Sequence, residues 1–210
     1  MIKILIADDH AIVREGLKQI LSESPDLVVV AEASTGQEVI DKVGKNDLDL
    51  VVLDISMPGR GGMDILKEVK SLKPKLPVLI LSMYPEEQYA VRVLKSGASG
   101  YLTKESAPVE LVKAIRQISQ GKKYISPSLA EKLAVDLEVS SDKLPHETLS
   151  DREYQVMCMI ASGKTLKEIA DELSLSIKTI STYRSRILEK MNMRTNAELT
   201  HYAVKNRLVD

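Results

Sequence analysis

The chain has 210 residues, 44% of them hydrophobic and 28% charged, with a formal net charge of −1, which describes a soluble globular protein long enough for two ordinary cores. No apolar run approaches the length of a membrane-spanning helix, and Met1 to Asp9 reads as a strand running into acids, without the charged and apolar regions of a signal peptide. One cysteine, Cys158, excludes an intramolecular disulfide framework and fits a reducing cytoplasm; Phe and Trp are absent, which argues against a base-stacking platform; and His10, His146 and His201 are too scattered to suggest a metal site.

Residues 2–7 are predicted to form a strand that ends at Asp8-Asp9. Val13, Leu17, Ile20 and Leu21 then repeat with the period of an amphipathic helix. Residues 27–31 read as a second strand, and Val39 with Val43 marks a helix ended by Gly44. Residues 50–53 are an unbroken, β-branched apolar run, the pattern of a strand buried on both faces of a covered parallel sheet. Asp54 follows at once, and Met57-Pro58-Gly59 stops the strand. Met63, Leu66, Val69 and Leu72 line the next helix; residues 77–82 are a strand, with a helix through Tyr89, Val93 and Leu94. Residues 99–103 are the last strand, and a helix from about residue 108 carries Leu111, Ile115 and Ile118. Five strand–helix units in series predict an α/β domain over residues 1–120, a doubly wound five-stranded parallel sheet with right-handed crossovers.

Residues 121–146 read as a linker, with one helix through Leu129, Leu133 and Leu137 before a polar stretch at 138–146. Residues 147–210 read as a second, smaller, all-helical domain. Three capping boxes announce helices there: Ser150 with Glu153, Thr165 with Glu168, and Thr195 with Glu198. A fourth start, Ser176 with Thr179, has the hydroxyl without the acid. A carboxylate there would repel a nucleic-acid phosphate, although Ser alone also caps well. Residues 166–173, a turn at Ser174-Leu175, and residues 176–191 have the dimensions of a helix-turn-helix. On the second helix, Ile177, Ile180, Ile187, Leu188 and Met191 mark the packing side, and Lys178, Ser181, Thr182, Ser185 and Glu189 mark the other. Small hydroxyls permit close approach to base edges, Lys178 can reach guanine acceptors, and Arg184, Arg186 and Lys190 suit phosphates. A solvated polar face explains the same spacing. Residues 147–210 are nearly neutral, with ten Lys/Arg against nine Asp/Glu, yet residues 176–194 carry five bases against Glu189 alone.

Parallel strands end along one edge, where open α/β sheets place their ligands. If the first strand neighbours the third, Asp8, Asp9 and Asp54 face one small volume and repel one another unless a cation lies between them. Oxygen ligands with room for water suit Mg²⁺. Ser82 ends the fourth strand and Lys104 follows the fifth. Asp54, beside a metal and a lysine, is then placed to attack a phosphoryl group, with the Ser82 hydroxyl as a donor to it. Taken singly, Asp54 or Asp9 also serves as a helix cap, Lys104 as a surface lysine and Tyr101 as a strand residue.

Asp8-Asp9, Asp54 with Met57-Pro58-Gly59, Ser82, Tyr101 and Lys104, in that order, resemble the receiver domain of two-component response regulators over about residues 1–120. The resemblance implies a CheY-like fold with strand order 2-1-3-4-5 and Asp54 as phospho-acceptor. It implies Mg²⁺ held by Asp8, Asp9, Asp54 and the backbone carbonyl of Ser56. Lys104 would pair with the phosphoryl group, and Ser82 and Tyr101 would form a switch pair. Many receivers follow this lysine with a cis proline; Glu105 stands here, which leaves that peptide's geometry open. Residues 149–208 resemble the LuxR-type helix-turn-helix of the NarL/FixJ subfamily. The carriers include Leu149-Ser150-Asp151-Arg152-Glu153, Gly163-Lys164-Thr165, Glu168-Ile169-Ala170, Leu173-Ser174-Leu175-Ser176, Thr179-Ile180 and Lys190-Met191. That resemblance implies four helices, the third entering the major groove and the last, at 195–206, serving dimerisation. Thr165 and Thr179, within its motif, join Lys178, Ser181, Thr182, Arg184, Ser185, Arg186 and Lys190 as expected DNA contacts.

The two resemblances together imply a cytoplasmic transcription factor, not an enzyme. It would be phosphorylated by a sensor histidine kinase, form a homodimer when phosphorylated, and bind double-stranded DNA. An aspartyl-phosphate phosphatase of the haloacid dehalogenase type shares the nucleophile chemistry but needs a second Asp two residues on, where this chain has Ser56. A protein-binding adaptor would lack the steep salt dependence of DNA binding.

Overall fold

Short β-branched runs and amphipathic segments alternate five times in the first half of the chain, and in the computed structural model each run is a strand of one parallel sheet. The structure describes residues 1–57, 61–126, 129–130, 144–206 and 208–209, in two units, Met1–Leu133 and Ala134–Asp210.

In the first unit the order is β1 (Ile2–Ala7), α1 (Ala11–Ser22), β2 (Leu27–Ala33), α2 (Gly36–Lys45), β3 (Leu50–Asp54), α3 (Gly62–Leu72), β4 (Val78–Ser82), α4 (Glu86–Lys95), β5 (Gly100–Thr103) and α5 (Ala107–Ser119). The sheet runs β2-β1-β3-β4-β5, as the resemblance implied. Every residue of β3 and β4 is buried, the result of helices on both faces. Each aliphatic side chain buried there contributes about 1.5–3 kcal/mol, so these two strands anchor the edge that carries the chemistry. Register then places the chemistry. Ala7 pairs with Leu53, so Asp8 and Asp54 leave neighbouring strands at the same level. Asp54 lies opposite Leu81, and Ser82 opposite Thr103, which sets Ser82 and Lys104 on the same edge.

Two expectations are corrected. The second strand runs past residue 31 to Ala33, because a register shift between Ile4 and Leu5 brings residues 31–33 opposite Leu5–Ala7. Gly44 does not end α2: the helix continues through Lys45, and Asn46 closes it with main-chain and side-chain N–H bonds to the Lys42 carbonyl. The unit also continues past residue 120, since Tyr124 bridges to Gly100 and joins the core. Leu129 is buried; the helix expected through Leu133 and Leu137, the polar stretch at 138–143 and the Pro58-Gly59 stop lie outside the described residues.

The second unit has a 3₁₀ turn (Pro145–Thr148), then α6 (Asp151–Ala161), α7 (Leu166–Glu172), α8 (Ile177–Lys190) and α9 (Asn196–Lys205). Residues 153–161 of α6 are all buried, Cys158 among them, and α8 and α9 both pack on this helix. Ser150 with Glu153 and Thr165 with Glu168 form reciprocal capping boxes. The third expected box is half made. Thr195 accepts from the Glu198 N–H, but the Glu198 carboxylate accepts from the Arg194 N–H instead, one residue upstream. Between α7 and α8 the chain turns at Ser174, whose φ of 52° is the positive value a sharp reversal needs.

Candidate functional site

At the carboxyl edge of the sheet, Asp8 and Asp54 are fully buried and Lys104 reaches between them. Its ammonium lies 2.7 Å from Asp8 Oδ2 and 2.9 Å from Asp54 Oδ2. The Ser56 N–H donates to Asp54 Oδ1 at 2.9 Å, which orients the carboxylate. Burial pushes the Asp54 carboxyl above its ordinary 3.8; Lys104 and the Ser56 N–H oppose the rise, and Asp8 adds to it. Burial alone would lower the Lys104 ammonium, but the Asp54 charge and the hydrogen bonds to Asp8 and Asp54 outweigh it and hold its pKa above 10.5. Lys104 therefore holds its charge between the two buried acids. The Lys104–Glu105 peptide is trans, and the Lys104 N–H donates to the Ser82 carbonyl at 2.7 Å.

The acids fit a divalent cation. Asp8, Asp9, His10 and Asp54 each present one ligand atom, all within 4.8 Å of one another. Asp9 Oδ1 is buried and accepts no hydrogen bond, although His10 Nδ1 stands 3.0 Å away. A buried carboxylate oxygen left without a donor is costly, and a cation removes that cost. The arrangement can hold a metal ion beside a buried nucleophilic carboxylate.

Ser82 and Tyr101 both bind the main chain of Tyr84, on either side of its Cα. Ser82 Oγ accepts from the Tyr84 N–H at 3.0 Å, and the Tyr101 hydroxyl donates to the Tyr84 carbonyl at 2.8 Å. Tyr101 is buried and turned inward, and burial pushes its phenol well up, opposed by its hydrogen bond with Ser82.

Three residues that sequence reasoning passed over complete the pocket. Arg14 donates to the Asp8 carbonyl at 2.8 Å while anchored on Glu32 at 3.3 Å, so β2 helps to hold the acid turn. Gly62 begins α3 against the end of β3: a Cβ there would lie 2.4 Å from Ile55 Cα and 2.7 Å from the Asp54 carbonyl oxygen. His10, set aside with the scattered histidines, stands inside the acid cluster. Its position beside Asp8-Asp9 was the signal that could have found it.

In the second unit, Lys178, Ser181, Thr182, Ser185 and Arg186 are exposed along one side of α8. Thr182 and Ser185 hydroxyls donate to the carbonyls of Lys178 and Ser181. Ser176 caps the helix through the Thr179 N–H, and no acid stands in its first turn. Thr165 is exposed and tied to Glu168, whereas Thr179 is half-buried and tied to Ser176. Arg184 is half-buried and donates to Asn196 at 2.6 Å. Lys190 departs from the strip, with its ammonium 2.7 Å from the buried Glu153 carboxylate. Ile177 is corrected as a packing residue: it is 51% exposed at the tip of the helix, because the core contacts of α8 begin at Ile180.

Residues 4–116 match the response regulator receiver domain family, and residues 147–203 match the luxR family of bacterial regulatory proteins. The chain is 37% identical over 209 residues to the response regulator UvrY of Escherichia coli strain K12, covering 99% of this chain and 96% of that protein. It is 38% identical over 216 residues to the oxygen regulatory protein NreC of Staphylococcus epidermidis, covering 99% of each. RcsB of Salmonella enterica serovar Typhimurium, solved bound to the promoter rprA in the presence of the phosphomimetic BeF₃⁻, is similar with a TM-score of 0.66 at 29% identity, over 96% of this chain and 97% of that one. Among the described residues no helix is long and apolar enough to cross a membrane. With a receiver match over more than half its length and relatives aligned end to end, the chain belongs to the two-component response regulators of the NarL/FixJ type, transcription regulators that join a receiver to a LuxR-type DNA-binding domain.

Proposed function

We propose that Asp54 accepts a phosphoryl group from a sensor histidine kinase and that this controls DNA binding through α8. The observation that carries the reading is the fully buried Asp54 carboxylate, 2.9 Å from the Lys104 ammonium and within ligand distance of Asp8 and Asp9. Asp8, Asp9, Asp54 and the Ser56 carbonyl would hold Mg²⁺, which when bound withdraws charge from the phosphoryl oxygens. An Asp54 oxygen forms the new P–O bond as the donor's P–N bond breaks, and the imidazole leaves with the electron pair. Lys104 turns from the carboxylates to the incoming phosphoryl oxygens. Ser82 donates to the same group while its oxygen still accepts from the Tyr84 N–H. Movement of the Tyr84–Pro85 peptide would release the Tyr101 hydroxyl from the Tyr84 carbonyl, giving the pocket two states.

On α8, Lys178, Ser181, Thr182 and Ser185 face base edges in the major groove, and Arg184 and Arg186 face phosphates. Thr165 and Thr179 lie at the helix starts that flank the backbone. Lys190 joins the DNA contacts only by leaving Glu153. Residues 1–120 carry the receiver, with Tyr124 completing its core, the linker lies beyond it and before residue 147, and residues 147–210 are the DNA-binding domain. The phosphorylated chain acts as a homodimer in the cytoplasm, a signalling protein and not a turnover enzyme. RcsB, solved bound to the promoter rprA, supports the DNA reading.

The test is transfer of labelled phosphate from acetyl phosphate or a kinase in Mg²⁺. Wild type takes up one acid-stable, base-labile label per chain, and Asp54→Asn takes up none. Equal labelling of the variant would remove Asp54 from the acceptor role.

A further inference from the structure

We propose that His10 is a fourth protein donor to the divalent ion of the acid pocket, and that it shifts the pocket's preference from Mg²⁺ toward first-row transition ions such as Mn²⁺. The inference rests on the reading that the pocket holds a divalent ion.

His10 occupies the N-cap position of α1, where a side chain ordinarily accepts from the helix's free N–H groups. Here the imidazole makes no capping bond. The ring turns toward the acids instead. Its main-chain N–H is bound to Asp8 Oδ1 at 2.8 Å, which fixes the ring's origin at the pocket mouth. Nδ1 then lies 3.2 Å from Asp8 Oδ1 and 3.0 Å from Asp9 Oδ1. The second contact is not a hydrogen bond, since Asp9 Oδ1 accepts none. Nδ1 is hydrogen-bonded to Asp8 Oδ1, so a cation bound here would take the place of the proton they share.

The separations are within a small contraction of those needed for ligation. Octahedral ligand atoms about 2.1 Å from an ion stand about 3.0 Å apart when adjacent and about 4.2 Å apart when opposite. The four donors of the cluster, Nδ1 included, all fall within 4.8 Å of one another. Imidazole nitrogen suits Mn²⁺ and the later first-row ions, whereas Mg²⁺ favours oxygen and keeps water. His10 also lies at the solvent edge, its side chain 62% exposed, so the ring can swing aside for Mg²⁺ and return for a softer ion.

The test uses the full-length protein without phosphodonor. Mn²⁺ binding is titrated by the loss of the free-ion electron paramagnetic resonance signal, alone and against Mg²⁺, for wild type, His10→Asn and His10→Ala. Pulsed resonance on the Mn²⁺ complex then reads directly coupled nitrogen. The expected result is a nitrogen coupling in wild type that changes when histidines carry ¹⁵N and vanishes in His10→Ala. The preference for Mn²⁺ over Mg²⁺ falls roughly tenfold in both variants. His146 and His201 lie in the other unit and persist in every variant. Mn²⁺ bound without histidine coupling, at an unchanged preference, overturns the role of His10 and leaves the pocket reading intact. Failure of wild type to bind either ion at millimolar concentration overturns both. If His10→Ala does not fold, His10→Asn assigns the coupling, and wild type that binds Mn²⁺ with no histidine coupling decides against His10 without any variant.

Discussion

Replacing Lys104 with methionine keeps most of the apolar stem and removes the ammonium. The native ammonium lies 2.7 Å from Asp8 and 2.9 Å from Asp54, and those two side chains are 1% and 0% exposed. Without it two buried carboxylates face each other with no counter-charge, and the least costly response is to protonate one of them. For a carboxyl with an ordinary value of 3.8, that costs about 4 kcal/mol at about pH 7, at roughly 1.4 kcal/mol per pH unit. This figure is a ceiling, and it agrees with the ~3–5 kcal/mol typical of removing one partner of a buried pair. The variant should therefore lose about 3–4 kcal/mol in chelator near neutrality, read by urea unfolding and far-ultraviolet circular dichroism. The sign of the pH dependence follows from the raised Asp54 pKa. A folded value above the unfolded one means that the folded state binds the extra proton, so the deficit is present at neutral pH and shrinks as pH falls toward 3.8. Millimolar Mg²⁺ should restore much of the loss by binding the folded state only. A variant as stable as wild type in chelator, or a deficit indifferent to pH, would refute the reasoning.

Gly62→Ala should cost about 1–3 kcal/mol, because its Cβ would lie 2.4 Å from Ile55 Cα, and backbone cannot turn aside as a side chain can; slowed phosphorylation should accompany the loss, and a wild-type melting curve would contradict the close approach. Lys178→Ala should weaken DNA binding and lower the salt slope by about 1. Lys190→Ala should instead cost about 1 kcal/mol of folding stability, discounted because Lys190 is partly in water, by depriving buried Glu153 of its ion partner. Burial would raise the Glu153 carboxyl, but Lys190 and Ser150 hold it below 4.5, so in wild type that stability is present above pH 4.5 and lost as pH falls through the lowered value; the variant should lose much of this acid sensitivity. Tyr101→Phe should cost about 1 kcal/mol through the lost bond to the Tyr84 carbonyl, measured by the same unfolding assay.

What could be read from the chain was what is encoded locally or repeats. The apolar runs of β3 and β4 declare burial on both faces, and capping boxes depend on residues three apart, so both were legible before any contact was known. The acids at the strand ends were legible as candidates, but their meeting depended on β1 lying beside β3 in a register that pairs Ala7 with Leu53. What sequence hid was tertiary. Gly62 looks like one more loop glycine until α3 is seen resting on the Asp54 main chain. Glu198 fits a capping box by spacing, yet its carboxylate reaches Arg194, a choice between two nearby N–H groups that spacing does not make. Ile177 carries the right period for packing but stands before the first turn that the rest of the domain covers. His10 has no histidine partner in the sequence to mark it, because the groups it joins are the aspartates Asp8 and Asp9.

The most direct test is the affinity of the full-length protein for a duplex selected from random sequence, measured by fluorescence anisotropy at fixed salt, with Mg²⁺, before and after BeF₃⁻ is added. Wild type should bind at least about tenfold more tightly after addition, on the scale of an ordinary coupling free energy, and Asp54→Asn should not change. Equal tightening of the variant, or no response in a wild-type protein shown to hold the phosphoryl mimic, would break the link between the acid pocket and the DNA-reading helix.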